Sequence, residues 1–503
     1  MRTITLLSLR TFRLVIVITL LLVASCLAYP PRTSAQSRDL LTVMTRNLYL
    51  GADVYQAAQY VPDFNAVSQH LWDQMQKTVF VDRADAFADE VIRVHPDVIG
   101  LQEAAQWYCR PERTGRAQVV YDYTQLFIAA LARRGAAYEV AHAPSSLPAE
   151  HLGFSFPTVP YITTVTDTTV FPPLFGSESV SCGFAIYDVL LVKTARSHDV
   201  YRTGASDFVF DYTLVPGFLD MNRGFAWLDM HIGTQTVRVV TTHVEAFFYD
   251  NLEPYSIGQT EQFIRDLGTT TSAIVVLGDF NNDPHDPISP QELNTGGRLT
   301  ASLACPLQSI PLNLATARDD CNTYWMMRHA GYRDAGPDAL AATYATWGYA
   351  DDLAGPAVGR LVESELRGNL PGLTARLDYV FVRNGVEVVD ARIIGNEWPL
   401  HGWNCTQFSQ QANAATTASL LGLPYGAMNA CAPSDHAGVV ATVRIHDSAT
   451  QAQTPPYHFA NSYTFVAMFL GIATAIWWSV RQRGTPGHIR VHAKHKRRRR
   501  HSA

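Results

Sequence analysis

Between residues 39 and 446 the spacing of apolar and polar positions changes repeatedly, and the changes mark out elements. Leu40–Thr45 is a short apolar run of strand length. From Arg83 to Val94, Ala84, Phe87, Ala88 and Val91 recur at i, i+3, i+4 and i+7, the spacing of one helix face. Pro96 stops that helix, and Val98–Leu101 opens the next strand. Phe184–Val192, Val237–Thr242, Ala273–Leu277, Leu377–Val382 and Val439–Ile445 predict further strands, most of them rich in β-branched residues. Several of these runs follow one another with no helical stretch between them, so a mixed two-sheet α/β body fits better than a doubly wound parallel sheet. Residues 143–181 and 396–434 read as long loops, 282–376 shows no clear period, and no internal repeat is visible.

The two ends differ from this body. Arg2, Arg10 and Arg13 precede the apolar run Leu14–Val23 and the small residues Ala24, Ser25 and Cys26, which is the form of a secretory signal. Cleavage after Ala35 makes 1–35 the signal peptide. Val23-Ala24-Ser25-Cys26 also resembles a bacterial lipobox, which would place lipid on Cys26. Residues 447–462 carry a Pro pair and read as a linker. Tyr463–Val480 is eighteen residues without a charge, with Trp477 and Trp478 at one edge, and predicts a single membrane-spanning helix. The basic tail 481–503 then stays in the cytoplasm and the body lies outside the cell.

Charge sharpens this division. The first 38 residues hold five Arg and the last 23 hold nine Lys or Arg, all without an acid. That leaves 25 basic against 45 acidic residues in 39–480, a net charge near −20, although the whole chain is at −6. Such a body opposes binding of a long polyanion, whose affinity scales with the phosphates neutralised. Six cysteines lie beyond the signal, an even number that suits disulfides outside the cytosol; proximity suggests Cys305–Cys321 and Cys405–Cys431.

Chemistry-bearing residues stand where the predicted strands end. Asn47 follows the first strand, and Gln102 and Glu103 follow Val98–Leu101. His243 follows Val237–Thr242, and Asp279 and Asn281 follow Ala273–Leu277. Asp378 lies inside the Leu377 run, and Ser434, Asp435 and His436 precede Val439. Sheet ends hold side chains rigidly, which is what a site requires. Carboxylate and carboxamide oxygens are hard ligands for Mg²⁺, Mn²⁺ or Ca²⁺. Imidazoles next to them suit acid–base work or contact with a phosphoryl oxygen. Taken one at a time, each residue reads equally well as a turn former or a solvated strand end.

Taken in order, MTRNL (44–48), DVIGLQE (97–103), TTH (241–243), GDFN (278–281), RLDYVFV (376–382) and SDH (434–436) resemble the successive motifs of the endonuclease/exonuclease/phosphatase superfamily. That group includes deoxyribonuclease I-like enzymes and neutral sphingomyelinase-like metal-dependent phosphoesterases. The resemblance spans 40–446 and implies a four-layer α/β sandwich of two packed mixed β-sheets over the catalytic domain 39–446. It implies Glu103 as the principal metal ligand, supported by Asn47 and Asp435. It implies Asp279 as the group that positions or deprotonates a water, Asn281 and His243 on the phosphate, and His436 as acid–base residue oriented by Asp378. Arg223, in NRGFAWLDM (222–230), is a candidate phosphate contact. Residues 49–82 and 282–375 depart from compact members as inserts.

The expected substrate is a phosphodiester, in a lipid headgroup or in nucleic acid. Phe247, Phe248 and Tyr249 beside the TTH motif favour a lipid surface if they are exposed. An extracellular endonuclease is the alternative, and a surface binding module without catalysis is the alternative from another class.

Overall fold

The computed structural model describes residues 39–111, 116–156, 163–164, 179–209, 212–215, 219–246, 255–268, 272–285, 322–349, 353, 373–396 and 431–446. In chain order the elements begin with β1 Leu40–Asn47, α1 Val54–Ala58, α2 Phe64–Lys77, α3 Phe80–Val94 and β2 Val98–Pro111. β3 Gln118–Asp122, α4 Tyr123–Arg133, β4 Tyr138–Val140, β5 Glu150–Phe156, β6 Thr163–Thr164 and β7 Ser179–Lys193 follow. Next come β8 Val200–Asp207, β9 Tyr212–Val215, β10 Leu219–Met221, β11 Gly224–Ile232, β12 Gln235–His243, α5 Tyr255–Leu267 and β13 Ala273–Asp279. The described set ends with α6 Thr323–His329, β14 Arg333–Asp334, β15 Asp378–Arg383, β16 Val386–Ile394 and β17 Gly438–Ile445.

One sheet runs β16-β17-β1-β2-β7-β4, with β3 paired to β2 and with β5 and β6 paired to β7; the other runs β14-β15-β13-β12-β11-β8. Each has one parallel pair near its middle. β1 lies parallel to β2 with Asn47 opposite Gln102, and β12 lies parallel to β13 with His243 opposite Asp279. Parallel neighbours need a crossover connection. Helices α1–α3 supply the first and α5 the second. Both pairs therefore deliver the C-terminal ends of their strands, and the polar residues there, to the same edge.

Period-2 alternation divides the strand side chains among three cores. Val237 and Val239, Val275 and Leu277, and Val380 and Val382 lie between the sheets with Leu41, Val43, Val439, Ala441 and Val443. The intervening Val240, Ile274, Val276, Tyr379 and Phe381 share a second core with Phe263 of α5 and Met327 of α6. Met44, Ile99 and Leu191 join Phe87 and Val91 of α3 and Phe127 and Leu131 of α4 in the third. The result is helix, sheet, sheet and helix in four layers, as the resemblance implied.

Residues 49–82, read as an insert without assigned elements, are largely helical, and Asp63 starts α2 by accepting from the N–H groups of Asn65 and Ala66. Two expectations change. The expected loop 143–181 contains β5 and β6 on the edge of β7. β2 does not stop at Leu101 but continues to Pro111, where Cys109 is disulfide-bonded to its register partner Cys182 on β7. Cys431 is disulfide-bonded as well. Cys26, Cys305, Cys321 and Cys405 lie outside the described residues, as do the signal peptide, the linker, the segment 463–480, the basic tail, and Phe247, Phe248 and Tyr249. Among the described residues no helix is long and apolar enough to cross a membrane.

The two sheets approach closely at Gly100 of β2. A Cβ there would sit 2.8 Å from Leu277 Cβ and 3.0 Å from Thr241 Oγ1, both on the opposite sheet. Overpacking of this kind costs about 1–3 kcal/mol. Gly100→Ala is expected to lower unfolding free energy by that amount in urea titrations; an unchanged midpoint would show that the sheets have room to part.

Candidate active site

Local backbone geometry presents each polar group. Asn47 closes β1, and its Oδ1 accepts from the N–H of Tyr49 at 2.8 Å. Glu103 stands in a bulge of β2: Leu101 and Ala104 keep their partners Val189 and Tyr187 on β7 while the register shifts between them. Its φ is 53°, a left-handed value that costs a Glu on the order of 1–3 kcal/mol. The bulge takes Glu103 out of the ladder, and its Oε2 accepts from the N–H of Leu50 at 2.8 Å. Asp279 closes β13, and its Oδ1 accepts from the N–H of Asn281 at 2.9 Å. Asn281 is itself left-handed, with φ 50°, a conformation Asn tolerates better than most residues. Asp378 opens β15 directly opposite Asp279, and the N–H groups of Leu377 and Asp378 both donate to Thr346 Oγ1.

These turns bring eight of the predicted residues together. Asn47 Nδ2 donates to Glu103 Oε1 on its own sheet at 3.3 Å and, across the gap between the sheets, to Asp279 Oδ2 at 3.1 Å. His436 Nδ1 lies 2.9 Å from Asp378 Oδ2, while its Nε2 is 3.6 Å from Asp279 Oδ2 and 4.0 Å from Asp435 Oδ2. His243 Nε2 is 3.6 Å from Asp279 Oδ2 and 3.1 Å from Asn281 Nδ2. Beneath them Gln102 links the sheets, accepting from Thr45 Oγ1 at 3.1 Å and donating to Thr241 Oγ1 at 2.8 Å.

A sequence profile of the Endonuclease/Exonuclease/phosphatase family matches residues 80–436, most of the span that carries this cluster. The chain belongs to that family. Solved structures similar to it include an endonuclease/exonuclease/phosphatase from Beutenbergia cavernae DSM 12333, at 16% identity over 82% of this chain and 72% of that one, with a TM-score of 0.40. Another is a family protein from Bacteroides vulgatus, at 12% identity over 81% and 99%, with a TM-score of 0.38. A third is D. rerio TDP2 complexed with a single-strand DNA product, at 13% identity over 80% and 99%, with a TM-score of 0.35. Among curated proteins none matches.

Members of this endonuclease/exonuclease/phosphatase family depend on divalent metal, and the donor set here fits such an ion. Burial raises the Glu103 carboxyl, Asp435 adds to the rise, and the Leu50 N–H, His436 and Arg223 oppose it. Burial likewise pushes Asp279 up to about 7, against the pull of His436 and with a further push from Asp378. Burial pulls His436 down, but Asp378, Asp435 and Asp279 outweigh it and hold the imidazole up at about 10. Asp378 Oδ1 is buried and lacks a hydrogen-bond partner. Four carboxyl groups thus crowd one imidazolium, an imbalance that a hard cation relieves. The ligand-type atoms of Asp279, Asp378 and His436 lie within 4.8 Å of one another. Because Asp378 is engaged with His436 and Asp279 with Asn47, Glu103 and Asp435 are the carboxyl groups best able to hold an ion.

Arg223 is placed differently from its expected role. It is buried, donates to Glu245 Oε2 at 3.0 Å and lies 3.1 Å from His243 Nδ1, so it backs the histidine instead of facing the cleft as a free cation. Four residues were missed by sequence reasoning. Glu245 follows the TTH motif by two positions, which was a usable signal. Trp347, whose Nε1 donates to Asp435 Oδ2 at 3.3 Å, lies in the stretch without a period. Asp188, buried on β7, is raised well above the carboxylate range by burial. Arg46, inside the MTRNL motif, donates from Nη1 to the backbone oxygen of His436 and pairs with Glu90.

Proposed function

We propose that this chain is a divalent-metal-dependent phosphodiesterase that hydrolyses its substrate by attack of water. The observation that carries the reading is the pairing around His436: one nitrogen is held by Asp378 at 2.9 Å and the other is 3.6 Å from Asp279, itself bonded to Asn47. Near pH 8 Asp279 is a carboxylate and His436 an imidazolium, which gives a base and an acid side by side. Asp279 takes a proton from the attacking water. His436 donates one to the leaving oxygen, and Asp378 keeps its ring oriented. Asn281 and His243 hold the non-bridging phosphoryl oxygens. Glu103 and Asp435, with Asn47 beside them, would hold a Mg²⁺, Mn²⁺ or Ca²⁺ ion, which would supply Lewis-acid charge at the phosphate.

For the substrate, the net charge near −20 of residues 39–480 and a tether at 463–480 favour a phospholipid headgroup over long nucleic acid. The basic tail 481–503 after that segment favours a catalytic domain outside the cell on a single C-terminal pass. Purified full-length chain assayed with Mg²⁺ is expected to turn over sphingomyelin or phosphatidylcholine, and to lose that activity in EDTA. Turnover of plasmid DNA or RNA alone would favour the endonuclease. No turnover of any phosphodiester, with metal shown to be bound, would leave a binding module.

Metal binding also has a pH signature. With Asp279 and Glu103 raised above their usual range, the metal-free fold weakens as pH climbs from about 4 to about 7, because charge then builds up in a closed site. A cation offsets that charge, so Mg²⁺ is expected to raise Tm more at pH 8 than at pH 5. An equal rise at both would place the ion elsewhere.

A further inference from the structure

His243 has a donor against each of its ring nitrogens. Arg223 Nη1 lies 3.1 Å from Nδ1, and Asn281 Nδ2 lies 3.1 Å from Nε2. A neutral imidazole has one lone-pair nitrogen, so it can accept from only one of them. A doubly protonated ring would accept from neither donor and would set a second cation 3.1 Å from the Arg223 guanidinium. The choice is therefore between two contacts. Guanidinium carries no acceptor, and its charged hydrogen bonds are roughly twice as strong as neutral ones. Asn281 already has a firm alternative, since its Nδ2 donates to the backbone oxygen of Val244 at 2.8 Å. The charged donor wins.

We infer that Arg223 is a positioning residue that fixes His243 in one tautomer, with the lone pair on Nδ1 and the proton on Nε2, so that His243 meets substrate as a hydrogen-bond donor. The device reaches back to α5. Gln259 Oε1 accepts from the N–H of Glu245 at 2.8 Å, Glu245 holds the Arg223 guanidinium, and Arg223 holds the ring. Nε2–H then projects toward Asp279 Oδ2 at 3.6 Å, the place where a phosphoryl oxygen arrives if the phosphodiesterase reading, on which the substrate role rests, is right. Acid–base work is left to His436, and His243 supplies a fixed dipole.

The test reads the tautomer directly. Full-length chain labelled with ¹⁵N-histidine is compared with a His243→Gln variant, which identifies the His243 signals. Nδ1 is expected at the shift of an unprotonated ring nitrogen and Nε2 at that of a protonated one. The opposite pattern in the wild type overturns the inference, and beyond that assignment it needs no variant of Arg223. In Arg223→Met the pattern is expected to reverse or to average, whereas Arg223→Lys retains it; an unchanged pattern in a folded Arg223→Met also overturns the inference. With turnover established, Arg223→Met is expected to lower kcat by about 10²-fold, as loss of one aligned donor does, with Arg223→Lys restoring part of it. The expected tautomer in a chain without phosphodiesterase activity would keep the positioning role and refute the functional reading alone.

Discussion

Replacing His436 with alanine is expected to lower kcat on the phosphodiester substrate by about 10²–10⁴-fold, the span over which a positioned acid or base contributes. Among the described residues the imidazole is the group beside Asp279 that is held positive at neutral pH, and it is held so by three carboxyl groups. Its loss removes the proton donor and leaves Asp378 with a buried oxygen facing nothing. The comparison variant is Asp378→Asn, which still accepts at Nδ1 but withdraws the negative charge. Its high-pH limb is expected to move down from the wild-type position near 10, because the largest support for the imidazolium has gone. The low-pH limb belongs to Asp279 and lies at or below about 7, since a cation nearby favours its ionised form. Full activity in His436→Ala would remove the site assignment; a high-pH limb unmoved in Asp378→Asn would remove the pairing.

Arg46→Ala is expected to cost about 3–5 kcal/mol of unfolding free energy, the loss typical of breaking a buried ion pair from one side. Arg46 is fully buried in β1. Its Nε and Nη2 meet the two oxygens of Glu90 on α3 at 2.9 and 3.2 Å, and its guanidinium lies 4.8 Å over the Phe87 ring. Truncation strips the Glu90 carboxylate of that partner and frees the backbone oxygen of His436. The double replacement Arg46→Met with Glu90→Leu removes both charges and is expected to recover most of the stability while leaving kcat low, since the His436 backbone stays unanchored. A single variant as stable as wild type in urea would mean that the pair contributes nothing net.

The legibility of this fold follows from its chemistry. Strands packed on both faces, such as Ala273–Asp279, are near-continuous apolar runs that end abruptly in polar residues, so both the strand and its polar end are visible in the sequence. α2 and α4 are harder to see, because their apolar residues are interleaved with short polar ones and their starts depend on single caps, Asp63 and Asp122. The bulge at Glu103 leaves no trace in composition; it exists because β2 continues on β7 beyond the point where its apolar run stops. The partner of Arg223 was not foreseen because it is a carboxylate 22 positions away, beyond an intervening hairpin.

Asn47 and Glu103 belong to one sheet, while His243, Asp279 and Asp378 belong to the other. The spacing of the chemistry is therefore the thickness of the sandwich, set where glycine at position 100 lets the layers nearly touch. Heat that swells this seam would move the two halves of the site apart while leaving each hydrogen-bonded ladder intact. Activity is accordingly expected to fade at a temperature below the one at which either slab melts, as assays and far-ultraviolet circular dichroism on one heating ramp would read.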